Sequence, residues 1–374
     1  MLSARSNPTL IDDLLARICT KLQITPSQHS AAEDHYLAIG KWLGDKPSPL
    51  AAWHPQIYSQ GSLRIGTTVK PRQRQEFDLD LVCEFSINPR LMPNPTILLD
   101  MVEARLRQNE VYKSILERKK RCIRVNYANS FHLDILPACP DTSKGRGCLL
   151  VPDRHQGWKP SNPKGYAEWI EQRAYSYAMK REAQIEPLPD HETAQEKAPL
   201  KQIIQLIKRW RDVTYANTME QAPISIVLTT LSGQHYMGET SICAGLTGIL
   251  QRIVAQTHAE GHFLEIRNPA NPDEVLSEKW RGNPHLYASF AQGIQEFNGE
   301  WNGLCTTNGI PAITKALESL FGEEVAKTVI AERAESMQTE RNSGRLQVQS
   351  GTGLLGAIGA TKGIPVRANT FHGA

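Results

Sequence analysis

The sequence predicts an α+β fold: a first lobe built on a mixed sheet, then a C-terminal helical lobe. Three observations predict it. Phe77-Asp-Leu-Asp-Leu-Val82 alternates apolar and polar residues as a strand does. Phe131-His-Leu-Asp-Ile-Leu-Pro137 repeats the pattern further along the chain. Leu200, Ile203, Ile204, Ile207 and Trp210 then form the i, i+3, i+4, i+7 stripe of a buried helix face. With 374 residues the chain can fill two cores. The expected layout is spine helices with the sheet lobe over 1–198, the helical lobe over 199–340 and a Gly-rich flexible tail over 341–374.

In chain order, Thr9-Leu-Ile-Asp12 reads as a capping box opening a helix that ends before Pro26. A second helix runs from about Ser27 to Leu43 and serves packing. Residues 56–85 read as strand, loop and strand, with Gly61-Ser62 at the first turn. The basic loop Lys70-Pro-Arg72-Gln-Arg74 reads as solvated. Residues 94–117 have helical periodicity, and Arg118-Lys-Lys-Arg121 is a solvent-facing run before a strand at Cys122–Tyr127. Pro137 to Lys164, rich in glycine, proline and cysteine, reads as loop. Tyr166–Arg181 is helical, and the proline- and acid-rich stretch Glu186–Glu196 is a crossing between lobes. Helices follow at Pro199–Asp212, at 240–258, at Pro284–Phe297 and at Ile310–Met337.

Composition narrows the class. No stretch approaches the apolar run that a membrane-spanning helix needs, and the start MLSARSNPTLIDD has no apolar signal core. Seven scattered cysteines read as reduced cytoplasmic thiols. Cys139 and Cys148 near His132 or His155 do not have zinc-ribbon spacing. The net charge of +3 sits in the tail, where Arg341, Arg345, Lys362 and Arg367 follow the last acid, Glu340. The body is close to neutral, which favours mononucleotide ligands over long nucleic acid.

The chemistry lies in the two strands. Asp78 and Asp80 are two apart, so their carboxylates share a face while Phe77, Leu79 and Leu81 enter the core. Asp134, between Leu133 and Ile135, joins them if the strands are neighbours. Like charges held together raise each other's pKa, and divalent cations remove that cost. Oxygen ligands suit Mg2+, and two such ions about 3.5–4 Å apart can hold the attacking and leaving oxygens of a nucleotidyl transfer. Gly61 lets backbone approach a phosphate, and Ser62 adds a hydroxyl.

Gly61-Ser62, Asp78-x-Asp80 and Asp134 together resemble the active-site pattern of the polymerase-β-type nucleotidyltransferase superfamily. With Gln60 and Gly66-Thr67 the pattern resembles the bacterial CD-NTases, relatives of cyclic GMP–AMP synthase and oligoadenylate synthase. Those enzymes make cyclic oligonucleotide messengers in anti-phage defence. The resemblance runs from about Ser27 to about Glu300 and is densest between Gln56 and Pro137. It implies a polymerase-β-like lobe under a helical lobe, with Asp78, Asp80 and Asp134 as catalytic, metal-holding residues for two Mg2+ ions, replaceable by Mn2+. It implies NTP substrates, ATP and GTP, on Gln60, Gly61 and Ser62, and a cyclic, adenine-containing di- or trinucleotide released with pyrophosphate.

Two further residues enter through the resemblance. Lys208, a surface lysine by periodicity, lies in a helix ending Lys-x-Trp as in oligoadenylate synthase, which implies contact with the triphosphate. Ser225 in Ala222-Pro-Ile-Ser-Ile-Val-Leu228 is a helix cap on residue type alone and a phosphate donor by resemblance. The resemblance further implies a cytoplasmic monomer whose product reaches a separate effector. Gly351-Thr-Gly-Leu-Leu-Gly356 matches a dinucleotide fingerprint, but no βαβ unit and no later acid follow it, so it reads as linker. The end, Gly373-Ala374, is expected to be a substrate of a ubiquitin-transfer-like E1/E2 conjugating enzyme. The rival readings are a linear oligonucleotide product or transfer to another acceptor, an inactive nucleic-acid-binding module, and a dehydrogenase.

Overall fold

The computed structural model describes residues 8–46, 48–72, 76–127, 131–145, 147–175, 192–194, 196–259, 263–349, 355–357 and 363–366. Two helices come first, α1 (Pro8–Leu22) and α2 (Pro26–Gly44). The capping box belongs to α2: Thr25 accepts from the Gln28 amide, and the Gln28 side chain accepts from Thr25. Thr9 lies within the described span of α1, Pro8–Leu22. Asp12 takes the Cys243 amide at 2.8 Å and the Ser241 hydroxyl at 2.7 Å, at the start of a helix far along the chain.

The sheet contains β1 (Gln56–Gln60), β2 (Phe77–Glu84), β3 (Leu116–Arg118), β4 (Ile123–Tyr127), β5 (Phe131–Pro140), β6 (Leu149–Asp153) and β7 (Gly157–Ser161). Its order is β1-β2-β5-β4-β3, with β6 pairing both β5 and β7. The β2–β5 pair is parallel and the other pairs are antiparallel, so the sheet is mixed as expected. The short α3 (Gly61–Arg64) follows β1, and α4 (Thr96–Arg107) packs with α2 under the sheet. Tyr36, Ile39 and Leu43 meet Leu98, Leu99 and Val102 there, over Leu79, Leu81, Val125, Leu133 and Ile135. The opposite face of β2 and β5 carries the aspartates and, further along, a small apolar cluster of Tyr58, Val82, Ala138, Leu149 and Val151.

The rest is helical: α5 (Pro163–Ala174), α6 (Pro199–Thr214), α7 (Ser225–His235) and α8 (Ile242–Ala259). A hairpin, β8 (Arg267–Asn268) and β9 (Asn271–Val275), leads to α9 (Glu278–Gly282), α10 (Pro284–Thr306), α11 (Ile310–Phe321) and α12 (Glu323–Asn342). α6 is the axis of this second core, buried without a break from Leu200 to Trp210, and Trp210 stacks on Phe297 at 4.5 Å. Chain order put α1 with the sheet lobe, yet Leu14, Leu15 and Ile18 are buried among the residues of the helical core.

Several local expectations are corrected. Pro137–Lys164 is not all loop, since it holds the end of β5 and the β6–β7 hairpin. The helix expected over 94–117 stops at Arg107, and its end forms β3. Ile310–Met337 is two helices, because Gly322 at φ +96° breaks the turn. In the stretch expected to be flexible, β10 (Leu346–Gln349), β11 (Leu355–Ala357) and β12 (Gly363–Pro365) form a three-stranded antiparallel sheet. Gly373 and Ala374, and most of the expected crossing at Glu186–Glu196, lie outside the described residues.

Candidate active site

Strand register builds the site. Gln60 on β1 stands opposite Asp80 on β2, Asp80 opposite Asp134 on β5, and Asp134 opposite Arg124 on β4. These four residues form one row across the sheet. The neighbouring row carries Asp78 opposite His132. The three aspartates, drawn from two stretches of sequence, therefore meet on one face.

The first turn is shaped around them. Gly61 has φ +67°, and a Cβ placed on it would lie 2.2 Å from Asp80 Oδ2. No other residue type satisfies both the backbone and the space. Ser62 follows, its hydroxyl accepting from Thr68 at 3.2 Å. The loop is tied to the helical lobe by α6, where Gln205 donates to the Thr68 carbonyl at 2.7 Å. Lys208 donates to the Thr67 hydroxyl at 2.9 Å and to its carbonyl at 3.2 Å. Lys208 is thus buried rather than on the surface, and it lines the cleft. Ser225 opens α7, and its hydroxyl accepts from Arg211, one turn beyond Lys208. That bond leaves the serine proton free for another acceptor. Arg72 ends on the Asp212 carbonyl at 2.9 Å, closing the last turn of α6 instead of pointing into water.

A cleft of about 1320 Å³ collects Gln60, Gly61, Ser62, Asp78, Asp80, Asp134, Lys208 and Ser225 on its walls. The run Lys119-Lys120-Arg121 lines it too. Lys120 and Arg121 pair with Asp153, and Arg121 also with Glu278 on α9, so Arg121 ties the sheet to the helical lobe, while Lys119 and Lys120 stay 35% and 44% exposed as expected of a solvent-facing run.

Electrostatics follow from the crowding. Burial, then Asp134, then Asp78 push the Asp80 carboxyl up to about 7. Burial, then the neighbouring Arg211, push Lys208 down to about 7. Asp134 is gripped by Arg124, whose Nε lies 2.7 Å from Oδ1 and Nη2 2.8 Å from Oδ2; Nη2 also reaches Asp78 at 3.0 Å. His132 lies between Glu76 and Asp78. As the side chains stand, no three His, Cys, Asp or Glu among the described residues are arranged to hold a metal ion, Asp134 being turned to Arg124. The donor set nevertheless fits a hard dication: it is all oxygen, and burial together with the neighbouring Asp134 and Asp78 makes the charged form of Asp80 costly, a cost that a cation would relieve.

The sequence reading missed Arg124, Glu76 and Arg211, and it gave Thr67 only as part of the resemblance, without its bond to Lys208. For Arg124 a signal existed, since Ile123-Arg-Val-Asn-Tyr127 alternates and puts a cation on the polar face of a strand.

Residues 10–174 match the model of the Second Messenger Oligonucleotide or Dinucleotide Synthetase domain. Over its whole length the chain is 34% identical to all of a c-di-GMP synthase of Roseivirga ehrenbergii. It belongs to the bacterial CD-NTases. As a CD-NTase it is a nucleotidyltransferase that makes a cyclic oligonucleotide. A second member, the cyclic dinucleotide synthase CdnG of Bradyrhizobium diazoefficiens, is 25% identical across 97% of this chain and 94% of its own. The solved structure of that CdnG in complex with GTP covers 86% of this chain and 98% of its own, with a TM-score of 0.70 at 23% identity. That likeness shows the shared fold. No described helix of this CD-NTase is long and apolar enough to cross a membrane.

Proposed function

We propose that this CD-NTase joins NTPs into a two-membered, guanine-containing ring at the site of Asp78, Asp80 and Asp134. The observation that carries the reading is the row in which Gln60, Asp80 and Asp134 stand side by side with Asp78 next to them. The two-membered ring is the smaller of the sizes expected from sequence, and guanine joins the expected adenine as a candidate base, because the two relatives are a c-di-GMP synthase and a cyclic dinucleotide synthase.

Bound Mg2+, or Mn2+ in its place, would neutralise the carboxylates and the phosphates and lower the pKa of the attacking ribose hydroxyl. The ligands would be Asp78, Asp80 and Asp134. The hydroxyl gives up its proton to solvent as its oxygen attacks the α-phosphorus of the NTP in line, the bond to the β,γ-phosphates breaks, and pyrophosphate departs with the electron pair. Asp134, once free of Arg124, would orient that hydroxyl. Gly61 admits the phosphates close to the backbone, and Ser62 and Ser225 donate hydrogen bonds to them through their hydroxyls. Lys208, desolvated and next to Thr67, adds a positive charge whose protonation the triphosphate favours. Positioning and charge supply most of the acceleration in such transfers. A second pass, with the linear intermediate turned around in the cleft, closes the ring.

The test is incubation with labelled GTP, ATP and both together in Mg2+, then phosphatase and chromatography. A phosphatase-resistant product that requires GTP supports the reading. A product fully degraded by phosphatase makes the enzyme a linear synthase, and a resistant product formed from ATP alone removes guanine from the assignment. The reading extends to a cytoplasmic monomer in anti-phage signalling, whose product acts on a separate effector. It also includes conjugation of the Gly373-Ala374 end by an E1/E2 enzyme, for which the support is sequence alone. Deleting residues 365–374 is expected to leave synthesis intact and abolish attachment, and attachment that persists refutes that part.

A further inference from the structure

We infer that Arg124 is a positioning residue that stands in for a cation: its guanidinium holds Asp134 and Asp78 and must release them before a divalent ion can take both. The inference rests on the metal-dependent reading above and adds a residue which that reading does not use.

The geometry is specific. Arg124 ends the row Gln60–Asp80–Asp134–Arg124, so β4 delivers it to Asp134 by register. Its fork meets both carboxylate oxygens, 2.7 Å from Oδ1 and 2.8 Å from Oδ2, and the outer nitrogen continues to Asp78 Oδ1 at 3.0 Å. The Arg124 side chain is 19% exposed and that of Asp134 16%, so this is not the screened surface pair that contributes little. Among the described residues its hydrogen bonds go to Asp134, Asp78 and His132. Asp80, the most crowded of the three carboxylates, receives none of them.

This arrangement answers a problem that any such site has between turnovers. Three carboxylates on adjacent positions repel one another, and a fold that held them bare would store that repulsion. Arg124 removes part of it with a charge that belongs to the chain. The same bonds, however, cover the oxygens of Asp134 that an ion would need, and among the described residues no three His, Cys, Asp or Glu stand ready around one point. Metal entry is therefore an exchange, with the ion in and the guanidinium out. Because Arg124 lines the cleft beside Lys119, Lys120 and Arg121, the released fork has room to turn towards an incoming phosphate, which it fits as well as it fits a carboxylate. Metal affinity without nucleotide is then lowered by the fraction of molecules in which Arg124 has let go. Nucleotide, by capturing the fork, raises it, so the two ligands are coupled.

The experiment measures Mn2+ binding to the full-length, nucleotide-free protein, by the electron paramagnetic resonance of free Mn2+. Wild type, Arg124→Met, Arg124→Lys and Asp80→Asn are compared, each first checked for a cooperative thermal transition. The inference predicts that Arg124→Met binds Mn2+ about tenfold or more tightly than wild type. Arg124→Lys, which keeps the charge and loses the fork, should fall between them. A GTP analogue that cannot be cleaved between the α- and β-phosphates should narrow the gap. If the Met protein does not fold, the Lys protein decides by the same comparison with wild type. Arg variants that bind Mn2+ no more tightly than wild type, while Asp80→Asn abolishes binding, overturn the role of Arg124 and leave the metal site standing. Wild-type binding no stronger than that of Asp80→Asn, with and without the analogue, overturns both.

Discussion

Asp80 and Lys208 are drawn towards each other in proton affinity, the acid raised to about 7 and the lysine lowered to about 7, with burial the largest cause for each. For Asp80 the sign of the pH effect is fixed. Between about pH 4 and pH 7 the folded chain keeps a proton that the unfolded chain has lost. The stability this group contributes is complete below about pH 4 and disappears as the pH climbs through 7. Asparagine has nearly the same shape and does not titrate. In a chelating buffer, the melting temperature of Asp80→Asn minus that of wild type should therefore grow between pH 5 and pH 8, followed by scanning fluorimetry. A difference that stays flat or shrinks with rising pH contradicts the crowding of Asp80.

At the level of elements, the turn from β1 into α3 is the least replaceable piece. Alanine at Gly61 would need a φ of +67° and would press on Asp80 Oδ2. A cost of about 1–3 kcal/mol is expected, and a displaced Asp80 should lower turnover by about a hundredfold, read as kcat beside a urea melt. Unchanged kcat would show that Asp80 is not held by this turn. The same scale explains what the sequence made legible. Phe77–Val82 and Phe131–Pro137 bury one face and expose the other, so their alternation survives as pattern, as does the apolar stripe of α6. The β6–β7 hairpin was missed because Pro152 and Pro160 sit inside its strands, and proline argues against a strand unless the pairing is known. Arg124 was missed for a related reason. Its alternation was readable, but that it stands opposite Asp134 is a property of register, which one sequence does not carry. Lys208 lies off the apolar stripe of α6, yet it is buried because the Gly61–Thr68 turn covers that side.

In the whole molecule there are two large cores, and chain order does not separate them. One is the sheet with α2 and α4; the other gathers α1 with α5 to α8 and α10 to α12. α1 is fastened to α12 as well, through Arg333 on Asp13 at 3.0 Å. Ile18 is fully buried in the helical core, so Ile18→Ala should cost about 2–5 kcal/mol. Limited proteolysis should then cut the helical lobe before the sheet lobe, and early cuts in β2 or β5 would place α1 with the other core. The candidate site draws on both lobes, since the sheet supplies the acids of the cleft while α6 and α7 supply Lys208, Arg211 and Ser225. Its central claim is that Asp134 belongs to the same reacting centre as Asp78 and Asp80. The direct measurement is pyrophosphate release from GTP and ATP in Mg2+, comparing wild type with an Asp134→Asn protein of similar melting temperature. The account predicts that the substitution lowers the rate by about a thousandfold or more; release at the wild-type rate would contradict it.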